Sequence, residues 1–476
     1  MQAEMKAEKM NAGETKAVFG EVWQTLGGEP SALDQISFTG EGHGLPSAFK
    51  VGLAAQVTEG AAGLMAAEAW RARTGEAQTV SIDRDAAAIG FRSERHAHIV
   101  REEPEYIWDE ISGHYRCGDG RWVQLHCNYP HHMAGATTAF KAQVSRAGMQ
   151  RALDQMTAAE AEAILIEHAL PGGMMRTQAE WRAHPAGQAL DGAPLLTLDK
   201  IGGSAPRTWS ANPARPLEGV KVLDMTRVIA GPVCGRTLAA FGAEVLRLTP
   251  PRYPDRGPLV LDGGAGKRNA MLNIRSKAGR ETFEALVRDA DIIVQGYRPG
   301  ALDAAGVGAD AVMQLNPSIV SVQLCAFGYQ GPWAERRGFD SIVQTVSGIA
   351  DAGGRAAGLA DGAPKPLPAQ ALDHGSGYLM AAAALSALLR QRREGGAWRV
   401  RAALAWTGRW LEDLGPLDAI SAPEPTDAEI AAHMLDEQGP FGHVRRIGMA
   451  TVLSKTPPLW MLPAAPLDAH TAEWAA

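Results

Sequence analysis

Residues 216–248 read PLEGVKVLDMTRVIAGPVCGRTLAAFGAEVLRL, and this stretch decides the fold class. Its first part, GVKVLDM, is a mostly apolar run of strand length, and EVLRL at its end is a second one. Between them, GPVCGRTLAAFGA has the small and apolar residues of a packed helix. Two strands separated by a helix predict parallel pairing, with the helix lying on one face of the sheet.

The same alternation continues downstream. SKAGRETFEALVRDA, from Ser276, predicts a helix capped by that serine, because its hydroxyl accepts from the free amides of the first turn. DIIVQGY (291–297) and SIVSVQLCAFG (318–328) predict a third and a fourth strand. We therefore predict an α/β fold whose large domain contains a Rossmann-like, doubly wound parallel sheet.

Ligands bind such sheets at the carboxyl ends of the strands. In this chain those positions are Arg227 after the first strand, Thr249 at the end of the second, Arg298 after the third, and the loop after Phe327. Arginine side chains are suited to phosphate and carboxylate groups. We expect the binding site at this edge of the sheet.

The rest of the chain predicts a smaller α+β domain and several connecting parts. HYRCGDGRWVQLHC (114–127) predicts a hairpin, because Asp119-Gly120 favours a type I′ turn. The composition of GGSAPRTWSANPARP predicts a linker. We divide the chain into a polar N-terminal segment (1–45), a partial repeat of the large domain's helical region (46–110), the small α+β domain (111–201), the linker (202–216), the large domain (217–412) and a C-terminal extension that packs on the large domain (413–476).

The repeat is suggested by two similar stretches. AAGLMAAEAWRARTGEAQTV, from Ala61, resembles LMAAAALSALLRQRREGGAWRV, from Leu379, with one residue of slippage. In that register the second stretch carries Asp373 where the first has Ala54. The two stretches are either a partial duplication or only two Ala-rich helices.

Composition excludes several classes of function. The net charge is −7 and no Lys/Arg-rich block occurs, which argues against nucleic-acid binding as the main role. No uninterrupted apolar run is long enough to span a membrane. The N-terminus lacks the apolar core of a signal peptide, so we expect a cytoplasmic protein. The four cysteines form no CxxC pair, and we expect no bound metal.

Four stretches together resemble the class III CoA-transferases, the family of formyl-CoA transferase, carnitine CoA-transferase and α-methylacyl-CoA racemase. They occur in the family's order and cover residues 216–248, 266–307, 316–354 and 371–396. Residues 49–210 resemble the family's later half, so the parts are shuffled as if a truncated second copy preceded the first. The resemblance implies that residues 217–412 bind CoA and carry the catalytic aspartate.

That aspartate corresponds to Asp373 in ALDHGSGY, at the start of a small-residue helix. The resemblance implies that it attacks the acyl-CoA carbonyl, and that mixed anhydrides and an aspartyl-CoA thioester form in turn. Gly375, Ser376 and Gly377 leave room for close backbone approach. The alternative is that Asp373 is only a helix N-cap.

Further positions correspond to CoA-facing residues of the family: Arg227, Ala230, Lys267, Arg268, Arg275, Tyr297, Arg298 and Gly328. Other positions depart from the family's pattern. Gly296 replaces an asparagine, Ala304 replaces an arginine, and Thr249-Pro250-Pro251 replaces Glu-Arg-Pro. Several polar contacts to the nucleotide are therefore missing, which puts ordinary CoA affinity in question.

The resemblance implies a CoA-transferase that moves CoA between an acyl-CoA donor and a small carboxylic acid acceptor. The CoA thioester is then a substrate, with no permanently bound cofactor, and the protein is a homodimer. Members of the family are intertwined dimers, and two partial copies in one chain leave open whether the chains interlock here. One alternative is an acyl-CoA racemase or isomerase, disfavoured because Phe339 stands where racemases have an acid/base histidine. Another is a non-catalytic member that keeps the fold. We expect Asp340 to be structural.

Overall fold

The computed structural model describes the chain except for residues 1–11, 41, 43, 104–107, 253, 254, 256, 418, 419, 421 and 476. The strands within the described ranges are β1 (Ile36–Thr39), β2 (Val80–Asp83), β3 (His98–Ile99), β4 (Gly113–Arg116), β5 (Trp122–Leu125), β6 (Gly172–Met174), β7 (Thr197–Lys200), β8 (Lys221–Met225), β9 (Glu244–Thr249), β10 (Lys267–Met271), β11 (Ile292–Gln295), β12 (Val320–Cys325), β13 (Trp398–Ala403), β14 (Met434–Gly439), β15 (Gly442–Ile447) and β16 (Thr451–Leu453).

The helices in the same ranges are α1 (Ala12–Thr25), α2 (Val51–Thr74), α3 (Arg84–Gly90), α4 (Ser93–His96), α5 (Pro130–Ala139), α6 (Arg146–Leu153), α7 (Ala158–Glu167), α8 (Gln178–Ala183), α9 (Pro185–Gln188), α10 (Ala230–Ala240), α11 (Gly257–Gly263), α12 (Lys277–Asp289), α13 (Ala309–Leu315), α14 (Asp340–Val346), α15 (Ile349–Ala356), α16 (Ala371–Glu394), α17 (Leu404–Asp413) and α18 (Asp427–Ala432). Short 3₁₀ turns cover Pro30–Gln35 and Ala360–Gly362.

The large domain is built on a sheet with the strand order β10-β9-β8-β11-β12-β13-β7. Its neighbouring strands are parallel, apart from β7, which pairs antiparallel with β13. The central strands are almost wholly buried because helices cover both faces, which explains their mostly apolar sequences. Ser276 caps α12 by accepting from the Gly279 amide. The predicted α/β class with a doubly wound sheet is confirmed.

The small α+β lobe contains the antiparallel sheet β4-β5-β6, with α5, α6 and α7 packed on it. Its own core includes Tyr115, Leu125 and Phe140. The segment 111–201 also supplies β7, which joins the large sheet instead. The two lobes are therefore linked by a shared strand as well as by the 202–216 connection.

The N-terminal part forms a second, shorter sheet, β1-β2-β16, in which β16 comes from the C-terminal region. Helix α1 buries Phe19, Val22 and Trp23, so the polar segment also contributes to the core. The C-terminal hairpin β14–β15 pairs with β3. Farther on, the indole of Trp460 donates to the Arg236 carbonyl of the large domain. The C-terminal region thus packs on both halves.

Two parts of the chain have the same order of elements. Helices α2 and α16 have 24 residues each, and they pack against one another in the largest core. Each is followed by a strand and a helix, and each strand has a parallel neighbour on one side and an antiparallel neighbour on the other. Their first residues, Val51 and Ala371, are 320 positions apart.

The following helices keep that spacing, since α3 begins at Arg84 and α17 at Leu404. The one-residue slippage inferred from the sequence is therefore wrong. Without a gap between the copies, Asp373 corresponds to Leu53 and not to Ala54. No helix in the described ranges is both long and apolar enough to cross a lipid bilayer.

Candidate active site

Asp373 is the third residue of α16 and lies in the helix's first turn. Its side chain is 7% exposed and lines a cavity of about 100 Å³ at the carboxyl ends of β8, β11 and β12. The N-cap of α16 is Gln370, which makes no side-chain capping bond. Asp373 is therefore not the cap of this helix. No side chain or amide in the described ranges donates a hydrogen bond to its carboxylate.

A second buried carboxyl group lies beside it. The Asp373 amide donates to Oδ2 of Asp340 at 2.8 Å, and the side-chain amide of Gln344 donates to Oδ1. Burial raises the pKa of Asp340 to about 7. Burial, together with the charges of Asp340 and Glu94, raises the pKa of Asp373 well above its usual range. Hydrogen bonds favour the ionised form of Asp340, and the Asp373 carboxyl group receives none from any residue that the structure describes, so the two charges favour the protonated form more strongly at Asp373.

The N-terminal part of the chain reaches this site through Glu94. Its Oε2 lies 2.9 Å from Nε2 of His374, the residue after Asp373. Burial opposes ionisation of Glu94, but the hydrogen bond and the charge of His374 outweigh it and lower the Glu94 pKa. The Phe91 ring stacks on His374, with centroids 5.4 Å apart. Sequence reasoning missed both Glu94 and Phe91, because 280 positions separate Glu94 from His374.

Close approach of α10 and α16 positions Asp373 at its cavity. A Cβ at Gly377 would lie 2.5 Å from the Ala230 carbonyl oxygen and 2.7 Å from Cβ of Val233. Real Cβ atoms do not come so near to a backbone oxygen, so only glycine permits this crossing. Ala230, predicted to face CoA, thereby lies in the wall of the Asp373 cavity.

A larger cavity of about 390 Å³ adjoins the first. The two share a wall formed by Arg227, Val228, Gly296, Arg298, Gly338 and Phe339. In the larger one the Arg227 guanidinium lies 5.3 Å from the ring centroid of Tyr129 and 5.8 Å from that of Tyr297. The structure thus brings Arg227, Tyr297 and Arg298 together beside Asp373. The larger cavity offers cations and aromatic faces, a combination suited to an anionic ligand with a ring.

The loop that carries Arg227 is strained. Val228 has a φ of 69°, which is unfavourable for a β-branched residue. Its amide donates to Oδ2 of Asp255 at 3.2 Å, and the Tyr129 hydroxyl donates to Oδ1 of the same carboxylate at 2.7 Å. Asp255 is ion-paired with the buried Arg247. This network holds the loop in its unfavourable conformation at the cavity wall.

The remaining predicted CoA-facing residues lie elsewhere. Lys267 is fully buried, and its Nζ donates to Asp224 at 2.7 Å and to the Pro232 carbonyl at 2.9 Å. Burial lowers the pKa of Lys267. Arg268 donates to the Glu473 carbonyl, and Arg275 is exposed after β10, at the far edge of the sheet. Gly328 follows β12, where a Cβ would lie 3.1 Å from the Trp406 indole nitrogen.

Phe339 lies in the wall between the two cavities. Its ring stacks on that of His126 from the small lobe, with centroids 3.8 Å apart and planes 10° apart. Burial lowers the pKa of His126 to about 3, so this imidazole is neutral near pH 7. Phe339 cannot transfer a proton, and His126 is a weak base. In the part of the chain that is described, no three His, Cys, Asp or Glu side chains are arranged to hold a metal ion.

The large domain is similar to proteins that are already known. Residues 217–433 match the family described as CoA-transferase family III. The chain is 33% identical over 257 residues to an acetyl-coenzyme A transferase, nodX, of Hypoxylon pulicicidum, covering 52% of this chain and 43% of that protein. It is 33% identical over 202 residues to formyl-CoA:oxalate CoA-transferase of Streptomyces coelicolor, covering 40% and 48%.

A solved structure is also similar, that of Rv3272 from Mycobacterium tuberculosis. It is 32% identical, has a TM-score of 0.39, and the match covers 42% of this chain and 57% of that one. The chain thus spans about half the length of the curated relatives it matches. The match to CoA-transferase family III is confined to residues 217–433, somewhat less than half of the chain.

Proposed function

We propose that this protein transfers CoA from an acyl-CoA donor to a carboxylic acid acceptor, with Asp373 as the nucleophile. One observation carries the proposal. The Asp373 carboxyl group is buried, lines a cavity next to Arg227 and Arg298, and receives no hydrogen bond from the described part of the chain. Burial of a carboxyl group without a hydrogen-bond partner lowers the stability of the fold. Groups with such raised pKa values cluster at functional sites.

The proposed chemistry uses the carboxylate as an acyl carrier. An Asp373 oxygen attacks the thioester carbonyl carbon, the C–S bond breaks, and CoA leaves as a thiolate, which gives a mixed anhydride. The thiolate then attacks the Asp373 acyl carbon and releases the donor acid as a carboxylate. The acceptor carboxylate attacks the resulting aspartyl thioester, and the returning thiolate attacks the acceptor side of the second anhydride. Asp373 is regenerated with its charge unchanged.

Asp373 must be ionised before it attacks. In the free protein burial, Asp340 and Glu94 keep its pKa high, so the proton has to leave when the substrate binds. Arg298 lines the same cavity and favours the ionised form, because opposite charges stabilise one another strongly in a desolvated site. Asp373 lies in the first turn of α16, so the positive end of the helix dipole stabilises negative charge that develops on the thioester oxygen.

The larger cavity is the proposed place for the CoA nucleotide. Arg227 and Arg298 supply positive charge for phosphate groups, and the rings of Tyr129 and Tyr297 supply flat apolar surface. CoA is here a substrate, and the proposal includes no resident cofactor. Lys267, Arg268 and Arg275 contribute less to CoA binding in this proposal, since Lys267 is held in an ion pair and the other two lie at the far sheet edge. A cytoplasmic location stays a prediction.

Intact-protein mass spectrometry tests the proposal. The wild type, Asp373→Asn and a matched surface variant, Asp413→Asn, are incubated with a panel of acyl-CoAs with and without hydroxylamine. We expect a CoA-sized adduct on the wild type and on Asp413→Asn, cleared by hydroxylamine and absent from Asp373→Asn. An adduct that persists on Asp373→Asn would show that another residue is the nucleophile. Absence of any adduct, with no CoA binding by calorimetry, would favour a non-catalytic member of the family.

A further inference from the structure

A third cavity, of about 310 Å³, lies over one face of the large sheet at β11, β12 and β13. Polar side chains of neighbouring strands form its floor. Gln295, Gln323 and Arg401 lie opposite one another in one row, and Ser321 and Arg399 lie side by side in the next. The same face carries apolar core residues at β8 and β9. The polar rows therefore mark the place where this face stops being core.

Arg399 and Arg401 are unusual among the half-buried arginines of the large domain. Neither forms an ion pair or donates a hydrogen bond to any described residue. The Arg401 guanidinium lies 5.0 Å from the Tyr329 ring centroid. By contrast, Arg236 is paired with Asp262, and Arg392 with Asp291. Each guanidinium carries five donors, so two sets of donors face the cavity unused by the protein.

The surrounding charges do not neutralise this pair. Asp303 and Asp310 line the cavity, and Asp199 stands opposite Arg399 on β7, yet none of them pairs with either arginine. Burial and the neighbouring Arg401 lower the pKa of Arg399, while Asp199 and Asp310 partly offset this. An arginine stays charged at neutral pH. An anion that binds between two like charges on one face of a strand reduces the electrostatic repulsion between them.

We infer that this cavity, the Arg399–Arg401 cavity, binds a small oxyanion, either a carboxylate or a phosphate. The planar forks of the two guanidinium groups match the paired oxygens of both groups, and the amides of Gln295 and Gln323 add donors in the same rows. Asp303 and Asp310 can accept from hydroxyl groups of the same ligand. Known ligand cavities measure about 300–1,000 Å³, so this one accepts a small metabolite.

One residue connects this cavity to the site of the proposed reaction. Arg298 lines the Arg399–Arg401 cavity, the Asp373 cavity and the larger cavity that adjoins it. An anion in the Arg399–Arg401 cavity attracts the Arg298 guanidinium away from the phosphates of CoA. We therefore expect the anion to weaken acyl-CoA binding. This competition rests on the proposed function, whereas the anion site itself does not.

The test separates binding from activity. Isothermal titration calorimetry with inorganic phosphate, and separately with succinate, is run on the full chain. The variants are Arg399→Gln/Arg401→Gln and a control of equal charge change, Arg288→Gln/Arg393→Gln, whose arginines are exposed. We expect saturable binding of at least one anion to the wild type and control, and binding at least roughly tenfold weaker in the Arg399→Gln/Arg401→Gln variant. The preferred anion identifies the ligand class.

Steady-state kinetics then tests the competition. The bound anion is expected to raise KM for acyl-CoA in the wild type and the control, with kcat unchanged, and to leave KM of the Arg399→Gln/Arg401→Gln variant unaltered. Equal affinity in all three proteins, or no saturable binding of either anion, would overturn the anion site. Anion binding without any change in KM would overturn the coupling through Arg298. A failure of Asp373 chemistry leaves the calorimetric result standing on its own.

Discussion

The two similar parts, α2–β2–α3 and α16–β13–α17, have first helices of equal length and the same order of elements but use their buried polar groups differently. In α2, Gln56 donates to the carbonyls of Thr39 and Ile82, and Glu59 accepts from the Thr451 amide, so these groups fasten the short sheet. In α16 the first turn instead presents Asp373 to a cavity. The same order of elements therefore directs its buried polar side chains either into hydrogen bonds within the fold or toward a cavity.

The largest expected effect is a loss of CoA transfer on substitution of Asp373 in α16. Asp373→Asn should lower CoA transfer by at least about 10³-fold, because an amide does not form the anhydride. The fold should be kept. A carboxyl group whose pKa is raised by folding loses its stabilising contribution as pH rises through the folded pKa, so the variant should be no less stable than the wild type at pH 8. Turnover assays and urea unfolding measure the two effects, and a marked loss of stability would contradict this account.

The reciprocal change should damage the fold. Leu53 is fully buried at the position of α2 that corresponds to Asp373. Leu53→Asp places an unpartnered carboxyl group in the core and should lower the free energy of unfolding by roughly 3–5 kcal/mol. Leu53→Met, which conserves volume, should cost less than about 1.5 kcal/mol. Urea unfolding compares the two. Similar losses for both variants would show that packing at this turn, rather than charge, distinguishes the copies.

The crossing of α10 and α16 should also depend on the glycine at position 377. A Cβ at Gly377 meets backbone of Ala230, so Gly377→Ala should cost about 1–3 kcal/mol and slow transfer by up to roughly 10²-fold through displacement of the site. Gly375 is the matched control, because its nearest neighbour is Cγ2 of Thr407 at 3.3 Å, the end of a side chain. Thermal unfolding compares the stability of the two alanine variants, and turnover rates compare their activity. Equal behaviour of the two alanine variants would mean that the crossing tolerates more separation than the structure implies.

The smallest effect concerns pH. Transfer by the wild type should rise with pH as Asp373 loses its proton, since burial and the charge of Asp340 keep its pKa high. Asp340→Asn removes that charge, lowers the Asp373 pKa, and should move the acidic limb of the kcat/KM profile to lower pH. Asp351→Asn, a carboxylate of α15, serves as control and should leave the profile unchanged. An unchanged or upward-shifted limb in Asp340→Asn would contradict the coupling.

The parts of the fold that the sequence predicts are those with local signals. The strands β8, β9, β11 and β12 are mostly apolar because both of their faces are largely buried, and α12 has its serine cap. Strand β7 (TLDK) is a polar edge strand, and neither face of it repeats an apolar pattern. Its pairing with β13 depends on tertiary packing, which no local pattern encodes.

The candidate site follows the same rule. Asp373, Arg227 and Arg298 stand in short motifs at strand ends and at a helix start, so the sequence points to them. Glu94 reaches His374 from a distant part of the chain, and only the packing of α4 against α16 brings them together. Lys267 was expected to face a ligand, but its strand directs Nζ inward to Asp224. The direction of a side chain on a strand with two buried faces cannot be read from its residue type.

The contact between α2 and α16 lies within one polypeptide, and so does the approach of Glu94 to His374. Elements joined by a covalent chain meet at an effective concentration that is set by the chain and not by the amount of protein present. Dilution of the protein therefore cannot separate α2 from α16. A loss of specific activity on dilution would come from an interface between separate subunits, which dissociates below its dissociation constant, and not from the contact between α2 and α16.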